Sequence, residues 1–448
     1  MTSTSKIDVV KLIDESPIGK FQWWIFILCG ICMVLDGFDV QAMGYVAPAL
    51  LQDWHVDKSS LGPVFGAGLF GLLIGSLVFS MVADKLGRRP VLIVSTFFFG
   101  LCMLATPFSS TIQELITIRF ITGLGLGAIM PNSMALCGEF SPKRKRISIM
   151  MLISCGFTIG AMFGGVVSAA LIPTYGWQSV FYLGGVLPLI IAGLMIVYLP
   201  ESIQFQVLSG KSSSTTRAVL KKVLPLQRVP EDAELVVAER NSSGVPVMAL
   251  FQEGRTVGTL AIWAVSFLNM IALYFLSNWL PTIAKLAGLS LENAVLVGAT
   301  LQLGGTFGTI AMGGMIDRIG FKRVLVPCFA TAAVFIALIG HSVGAIALLF
   351  VIVFVTGFAV VGGQPAINAM AANYYPTALR TTGVGYSLGV GRIGSVIGPV
   401  VGGQLIGLNW GQESLFHLVA VPSVFIVLIL LFGARTVQAV PANPAVAH

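Results

Sequence analysis

Twelve stretches of about 20 mostly apolar residues run through the chain, each long enough to cross a hydrocarbon core about 30 Å thick. In lipid every backbone N–H and C=O must find its partner within the protein, so such stretches fold as helices. They fall at 21–47, 60–82, 91–109, 114–137, 147–172, 179–199, 257–280, 292–315, 324–342, 345–368, 381–406 and 413–433. Composition excludes a soluble alternative: only 10% of the 448 residues are charged, against about 25% in soluble domains. The expectation is an all-α integral membrane protein with six spans in residues 1–199, a polar linker over 200–256 and six more spans in 257–448.

The net charge of +7 does not mark a nucleic-acid partner, because the basic residues form no single patch and fall into alternate loops. Lys6, Lys11 and Lys20 precede the first stretch; Lys85, Arg88 and Arg89 follow the second; Lys143, Arg144, Lys145 and Arg146 follow the fourth. The linker holds Lys211, Arg217, Lys221, Lys222, Arg228, Arg240 and Arg255, and Arg318, Lys322, Arg323, Arg380 and Arg435 continue the pattern. The intervening loops hold only Lys58 and Lys285, so the positive-inside rule puts both termini and the linker in the cytoplasm. The first stretch is too long for a signal-peptide core, which argues against secretion. All six cysteines (Cys29, Cys32, Cys102, Cys137, Cys155, Cys328) lie in or beside apolar stretches, as small packing residues and not a disulfide framework. The Cys29-x-x-Cys32 pair lacks the exposed, electropositive setting that activates a thiolate.

The second half restates the first. Asp84-Lys85-Leu86-Gly87-Arg88-Arg89 returns as Asp317-Arg318-Ile319-Gly320-Phe321-Lys322-Arg323, and Pro48 returns as Pro281 at the same spacing. Thr122-Gly123, Pro131, Pro142 and Arg146 return as Thr356-Gly357, Pro365, Pro376 and Arg380, one residue further on. The glycine stripe 156, 160, 164, 165 matches 394, 398, 402, 403, an offset four residues longer still. Two homologous six-helix halves of the same orientation follow, the parallel-repeat arrangement of transporters.

These residues resemble the major facilitator superfamily over the whole chain. Its loop signature G-x-x-x-D-[RK]-x-G-[RK]-[RK] appears from Ser80 to Arg89, with Ser80 in the place of the leading glycine, and Arg119 to Gly127 resembles its fourth-helix arginine motif. Within the superfamily, Asp36-Gly37-Phe38-Asp39, Gly389-Val390-Gly391-Arg392-Ile393-Gly394 and Leu199-Pro200-Glu201-Ser202 resemble the aromatic acid:proton symporter family. The resemblance implies uptake of a hydroxybenzoate such as 4-hydroxybenzoate or protocatechuate across a bacterial inner membrane, by a single chain in contact with lipid. It implies no cofactor beyond the proton gradient, and no enzyme activity.

The residues point the same way without the family. Ionisable groups at membrane depth are costly and are functional candidates by default, and four lie there: Asp36, Asp39, Arg119 and Arg392. Asp36 and Asp39 stand one turn apart on one helix face. Two like charges so close in a low dielectric do not both stay ionised cheaply, which gives the pair a place to hold a proton. The bland reading makes each acid an inert partner of an arginine; the cost of charge in lipid favours proton coupling by Asp36 and Asp39, with Arg119 as the coupling partner that its family counterpart implies. Their repeat-mates are Asn269 and Ala272, so the acids belong to one half only. Arg392, near the middle of its helix, is placed to hold a carboxylate bidentately, or else to serve as an internal ion-pair partner. Tyr274, Asn278, Gln302, Gln364, Asn368 and Tyr386 are candidates to read the ring and its hydroxyls, against the simpler reading of interhelical hydrogen bonds.

Asp84, Gly87, Arg88, Arg89 and Glu139, with Asp317, Arg318, Arg323 and Arg380, are expected to make inter-helix contacts that are broken and remade in alternating access. Topology-setting charge alone would account for the basic residues but not for the recurring aspartate and glycine. The histidines His55, His341, His417 and His448 have no metal-ligand spacing in sequence. No phosphate-binding loop, nucleophile elbow or H-E-x-x-H supports ATP-driven transport or hydrolysis. A drug exporter of the same fold is disfavoured because the fifth stretch reads Gly160-Ala161-Met162-Phe163-Gly164, without a Gly-Pro pair. A symporter of another organic acid or of sugar is the nearer alternative, and two arginines at membrane depth favour an acid.

Overall fold

A computed structural model of the chain describes residues 6–210, 213–223, 233–237, 247–376 and 379–432. Its apolar stretches form twelve helices long enough to span a membrane. They are α1 (Lys20–Trp54), α2 (Lys58–Leu86), α3 (Arg88–Phe108), α4 (Ile112–Phe140), α5 (Lys143–Tyr175) and α6 (Gln178–Tyr198). The second half supplies α7 (Thr256–Leu286), α8 (Leu291–Ile319), α9 (Phe321–Ile339), α10 (Ile346–Tyr374), α11 (Arg380–Gly407) and α12 (Gln412–Phe432). Several run past their apolar stretch, α1 through Pro48 to Trp54. Large apolar side chains such as Val94, Ile147 and Val351 point outward, a surface that only lipid covers. Exposed Trp23, Trp24 and Tyr198 lie at one end, and Tyr175 and Trp410 at the other, as interfacial aromatic belts require. Lys211, Arg228, Arg240, Arg435, His448 and the tail after Phe432 lie outside the described residues.

Without a hydrophobic force between helices in lipid, close approach depends on small residues. In the first half α2 meets α4 through Gly71, Gly75 and Gly123: a Cβ on them would stand 2.2 Å from the Phe120 oxygen, 2.1 Å from that of Leu124 and 2.1 Å from that of Gly68. In the second half α8 meets α10 the same way, through Gly304, Gly308 and Gly357 against the oxygens of Phe354, Phe358 and Leu301, at 2.1, 2.2 and 1.9 Å. The pairing α1 with α5, α2 with α4 and α3 with α6 is repeated as α7 with α11, α8 with α10 and α9 with α12.

One sequence correspondence is corrected by this geometry. Gly160 of α5 packs on the Val34 oxygen and Gly164 on Phe38, whereas Gly394 of α11 packs on the Phe267 oxygen and Gly398 on that of Ile271. Phe267 and Ile271 are the repeat-mates of Val34 and Phe38, so Gly160 corresponds to Gly394 and not to Gly398. The stripe has a four-residue period, so a slip of one helical turn leaves its pattern almost unchanged.

The two halves touch tightly at the end remote from the linker. There Gly62 of α2 faces Gly403 of α11, Gly165 of α5 faces Ala299 of α8, and Tyr45 of α1 lies against Gly298. Gln41 donates to the Ser277 carbonyl, and Gln302 Nε2 donates to Gln41 Oε1 at 3.2 Å and to Ser277 Oγ at 3.1 Å. Toward the linker end α11 draws away from α2: Val396 and Val400 touch Gly66, but Gly389 and Gly385 on the same stripe have nothing within 4 Å of a Cβ position, whereas α5 and α8 stay in contact, Thr306 Oγ1 donating to Thr158 Oγ1 at 3.0 Å. A two-stranded parallel pair, β1 (Lys6–Asp8) with β2 (Glu234–Val236), ties the N-terminal segment to the linker, a feature the hydropathy pattern does not announce.

Gly71→Ala is expected to lower stability by about 1–3 kcal/mol through overpacking, read as a fall in thermal unfolding midpoint of purified protein. Gly193→Ala, with nothing within 4 Å of its Cβ position, serves as the control; equal stability of the two variants would refute the glycine-to-backbone account.

Candidate substrate and proton site

The α1–α5 crossing sets the rotation of α1. Gly37 lies against the Phe157 backbone, where a Cβ would stand 1.9 Å from the carbonyl oxygen, and this turns Asp36 and Asp39 toward the protein interior, 3% and 0% exposed. The α2–α4 crossing likewise seats Arg119 beside Gly68. Arg119 Nη1 donates to Asp39 Oδ1 at 3.0 Å, and Nη2 donates to Asp39 Oδ2 at 3.4 Å and to its backbone oxygen at 3.3 Å. The pair is sealed: the adjoining cavity, lined by Val40, Met43, Gly68, Arg119 and Asn278, measures about 10 Å³, at the lower limit for one water.

Asp36 and Arg392 are different. Asp36 Oδ1 is buried and has no hydrogen-bond partner, and Arg392, partly exposed on α11, makes no ion pair and no side-chain hydrogen bond among the described residues. Of four charges at membrane depth, one acid and one base are thus fully paired, and the other two, one in each half, have no hydrogen-bond or ion-pair partner among the described residues.

Amide side chains frame this space in two groups. Asn269 Nδ2 donates to Gln364 Oε1 at 2.8 Å and to the Val360 oxygen at 3.2 Å, and Gln364 Nε2 donates to Asn368 Oδ1 at 3.2 Å. This chain runs between α7 and α10. Gln302 belongs instead to the seal with Gln41 and Ser277, and Asn278 Nδ2 donates to the Tyr274 oxygen at 2.8 Å. Tyr386 is not brought to Arg392. Six residues away on α11, it points to another face of the helix, is 44% exposed and stacks on Trp263 with ring centroids 6.0 Å apart.

At the linker end the two loop copies have different surroundings. In the first, Arg88 pairs with Asp84 at 3.1 Å and with Glu139 at 3.2 Å, and Ser202 Oγ donates to Glu139. Glu201 Oε1 accepts from the backbone N–H groups of Arg88, Arg89 and Ser202 at 3.0, 3.2 and 2.8 Å. A carboxylate so held at the N-terminus of α3 is favoured by the helix dipole. Arg89 donates to the oxygens of Leu199 and Ile196, both at 2.6 Å. Gly87 has φ 105°, and a Cβ there would stand 2.1 Å from Glu201 Oε2, so only glycine fits. In the second copy Asp317, Arg318, Arg323 and Arg380 are exposed and form no ion pair among the described residues. The reason is legible in the repeat: the positions of Glu139 and Glu201 are taken by Asn373 and Arg435.

The fold agrees with the comparisons to known proteins. Residues 29–313 and 262–447 match the model of the Major Facilitator Superfamily. The chain belongs to the Major Facilitator Superfamily. It is similar to the 4-hydroxybenzoate transporter PcaK of Pseudomonas aeruginosa, 39% identical over 430 residues that cover 94% of this chain and 95% of the relative. It is equally similar to a gallate transporter of Pseudomonas putida, 39% identical over 441 residues, 98% of each. The crystal structure of a D-xylose–proton symporter has the same fold, with a TM-score of 0.70 at 16% identity over 92% of this chain and 97% of that one.

As a member of the superfamily the chain is a multi-pass membrane transporter and not an enzyme. No group of three or more metal-ligating side chains occurs among the described residues, and all six cysteines are free thiols. The residues that sequence reasoning missed are Gln41, Ser277, Asn269 and Glu201. A signal existed for two of them, since Asn269 is the repeat-mate of Asp36 and Glu201 stands in the Pro-Glu-Ser motif; Gln41 and Ser277 are visible only once the halves are docked.

Asp39→Asn is expected to cost about 3–5 kcal/mol of stability, because it leaves a buried guanidinium without its counter-charge. Asp36→Asn, which breaks no hydrogen bond, is expected to cost less than about 1 kcal/mol. Unfolding of the two purified variants measures the difference, and equal losses would contradict the division into a paired and an uncommitted acid. At the linker end, Glu201→Ala is expected to lower the stability measured by unfolding, while Asp317→Asn leaves it within about 0.5 kcal/mol of wild type.

Proposed function

We propose that the chain imports an aromatic carboxylate of the hydroxybenzoate type, with protons, across the bacterial inner membrane by alternating access, acting as a monomer with both termini and the linker in the cytoplasm. The observation that carries this reading is the uncommitted pair: a guanidinium in one half and a buried carboxylate in the other, neither with a partner among the described residues. Arg392 is the ligand for the substrate carboxylate, because a free planar fork matches a carboxylate bidentately. Asp36 is the proton acceptor. While ionised it competes with the substrate for the charge of Arg392; once protonated it releases that charge. Substrate and proton therefore favour each other's binding, which is the thermodynamic requirement of symport.

Asp39 with Arg119 is the fixed partner of this switch, and Tyr274, Gln364 and Asn368 are placed to contact the ring and its hydroxyls. Asn278 and Gln302 border the sealed side. The closed remote end, with Gly385 and Gly389 of α11 uncovered toward the linker end, supports a conformation that faces the cytoplasm. The loop residues Asp84, Gly87, Arg88, Arg89 and Glu139 hold the first bundle together, and Asp317, Arg318, Arg323 and Arg380 are free to change partners as the halves rock. The similarity to 4-hydroxybenzoate and gallate transporters supports the substrate class. Energetics support proton coupling: an anion moving into a negative interior is opposed by about 2.3 kcal/mol per 100 mV, a first proton cancels this and a second makes inward movement favourable.

Uptake of radiolabelled 4-hydroxybenzoate into right-side-out vesicles under an inward proton gradient tests the reading. Wild type is expected to show gradient-stimulated uptake, with unlabelled benzoates competing. Arg392→Ala is expected to abolish uptake, and Asp36→Asn to abolish the gradient stimulation while retaining exchange of labelled for unlabelled substrate. No uptake and no competition by any aromatic acid, in vesicles containing folded protein, would overturn the substrate class; full gradient stimulation in Asp36→Asn would overturn the proton assignment.

A further inference from the structure

The sequence separates His341 from His417 by two helices, but the fold joins them. His341 follows α9, and His417 lies in the first turns of α12, at the end remote from the linker. Their Nε2 atoms are 3.4 Å apart, with ring centroids 5.3 Å apart. Two nitrogens bound to one tetrahedral ion at 2.0–2.1 Å stand about 3.3 Å from each other, so the spacing is that of two ligands of a single metal.

Glu413 sets the chemistry of this pair. Its Oε1 lies 3.3 Å from His341 Nδ1, within reach to accept a proton carried on that nitrogen, the carboxylate–histidine arrangement that orients metal ligands. In that tautomer His341 Nε2 presents a lone pair toward His417. The Nδ1 of His417 has no partner among the described residues, so that ring is free to carry its own proton there and to aim a second lone pair at the same point. Both rings are open to solvent, and a Cβ on Gly340 would stand 2.8 Å from the Glu413 Cα, so the two backbones are in contact and hold the histidines in register.

We propose that His341 and His417 form a binding site for one divalent transition-metal ion of the Zn²⁺ type, with Glu413 as the orienting group and water or an external anion in the remaining positions. Imidazole ligands suit Zn²⁺, Ni²⁺ and Cu²⁺, whereas Ca²⁺ and Mg²⁺ take oxygen ligands. The ion would tie the end of α9 to the start of α12, within one bundle and away from the transport site. On the orientation proposed above, this face is periplasmic, where external metal reaches it.

The test uses full-length protein in lipid nanodiscs, freed of its purification tag and treated with chelator, titrated with ZnCl₂ by calorimetry and with Co²⁺ by visible absorption. One Zn²⁺ per chain is expected, with a rise in thermal unfolding midpoint that a chelator reverses. His341→Ala and His417→Ala are each expected to weaken binding at least tenfold, and Glu413→Gln by about tenfold, while CaCl₂ produces no heat. The positions are exposed, so an unchanged unfolding midpoint in chelator confirms that the variants fold. Equal Zn²⁺ binding by wild type and by the His341→Ala/His417→Ala variant would mean an adventitious ion elsewhere, and no binding by wild type would mean a hydrogen-bonded pair only; either result overturns the site.

Discussion

Glycine against carbonyl is the contact on which everything else in this structure stands. Helices in lipid gain nothing from hiding apolar surface, since the solvent is as apolar as they are, and what they can gain is dispersion at short range. Gly71, Gly75 and Gly123 in one half, and Gly304, Gly308 and Gly357 in the other, bring backbones so close that a single methyl group would overlap an oxygen. The same device at Gly37 and Gly160 fixes the rotation of α1 and with it the direction of Asp36 and Asp39. A polar site inside a membrane needs such rigidity, because its charges are tolerated only where their surroundings are fixed.

On this duplicated frame the charges are not duplicated. Asp36 corresponds to Asn269 and Asp39 to Ala272, and with the corrected register Arg392 corresponds to Thr158 and Arg119 to Val353. One half supplies the acids and their structural arginine; the other supplies the free guanidinium and most of the amides. The asymmetry recurs at the linker end, where one loop is bound by two glutamates and its copy has neither. Duplication gives two matched rigid bodies, and divergence afterwards gives them different work.

Much of this is legible in the sequence, and the failures have physical causes. Helix number, the two halves and the four intramembrane charges follow from hydropathy and from the cost of charge in lipid. The one-turn slip between glycine stripes does not, because a pattern of period four is nearly unchanged by a shift of four. Tyr386 fails for a rotational reason: six residues from Arg392 on a helix is a different face, a distinction that proximity in sequence conceals. Gln41, Ser277 and Gln302 meet only across the interface between halves, and His341 and His417 only through the pairing of α9 with α12. Contacts of that kind carry no local signal.

The seal at the end remote from the linker is built from glycine, alanine, a tyrosine ring and the neutral amides of Gln41 and Gln302. No ion pair spans it among the described residues. Opening that side therefore moves no formal charge through the electric field of the membrane and strips no ion of its counter-ion. Its energy comes from short-range contact and a few neutral hydrogen bonds, which neither ionic strength nor membrane potential alters much. Any voltage dependence of the transport cycle must then arise from the central charges and from what binds to them, leaving the gate itself electrically silent.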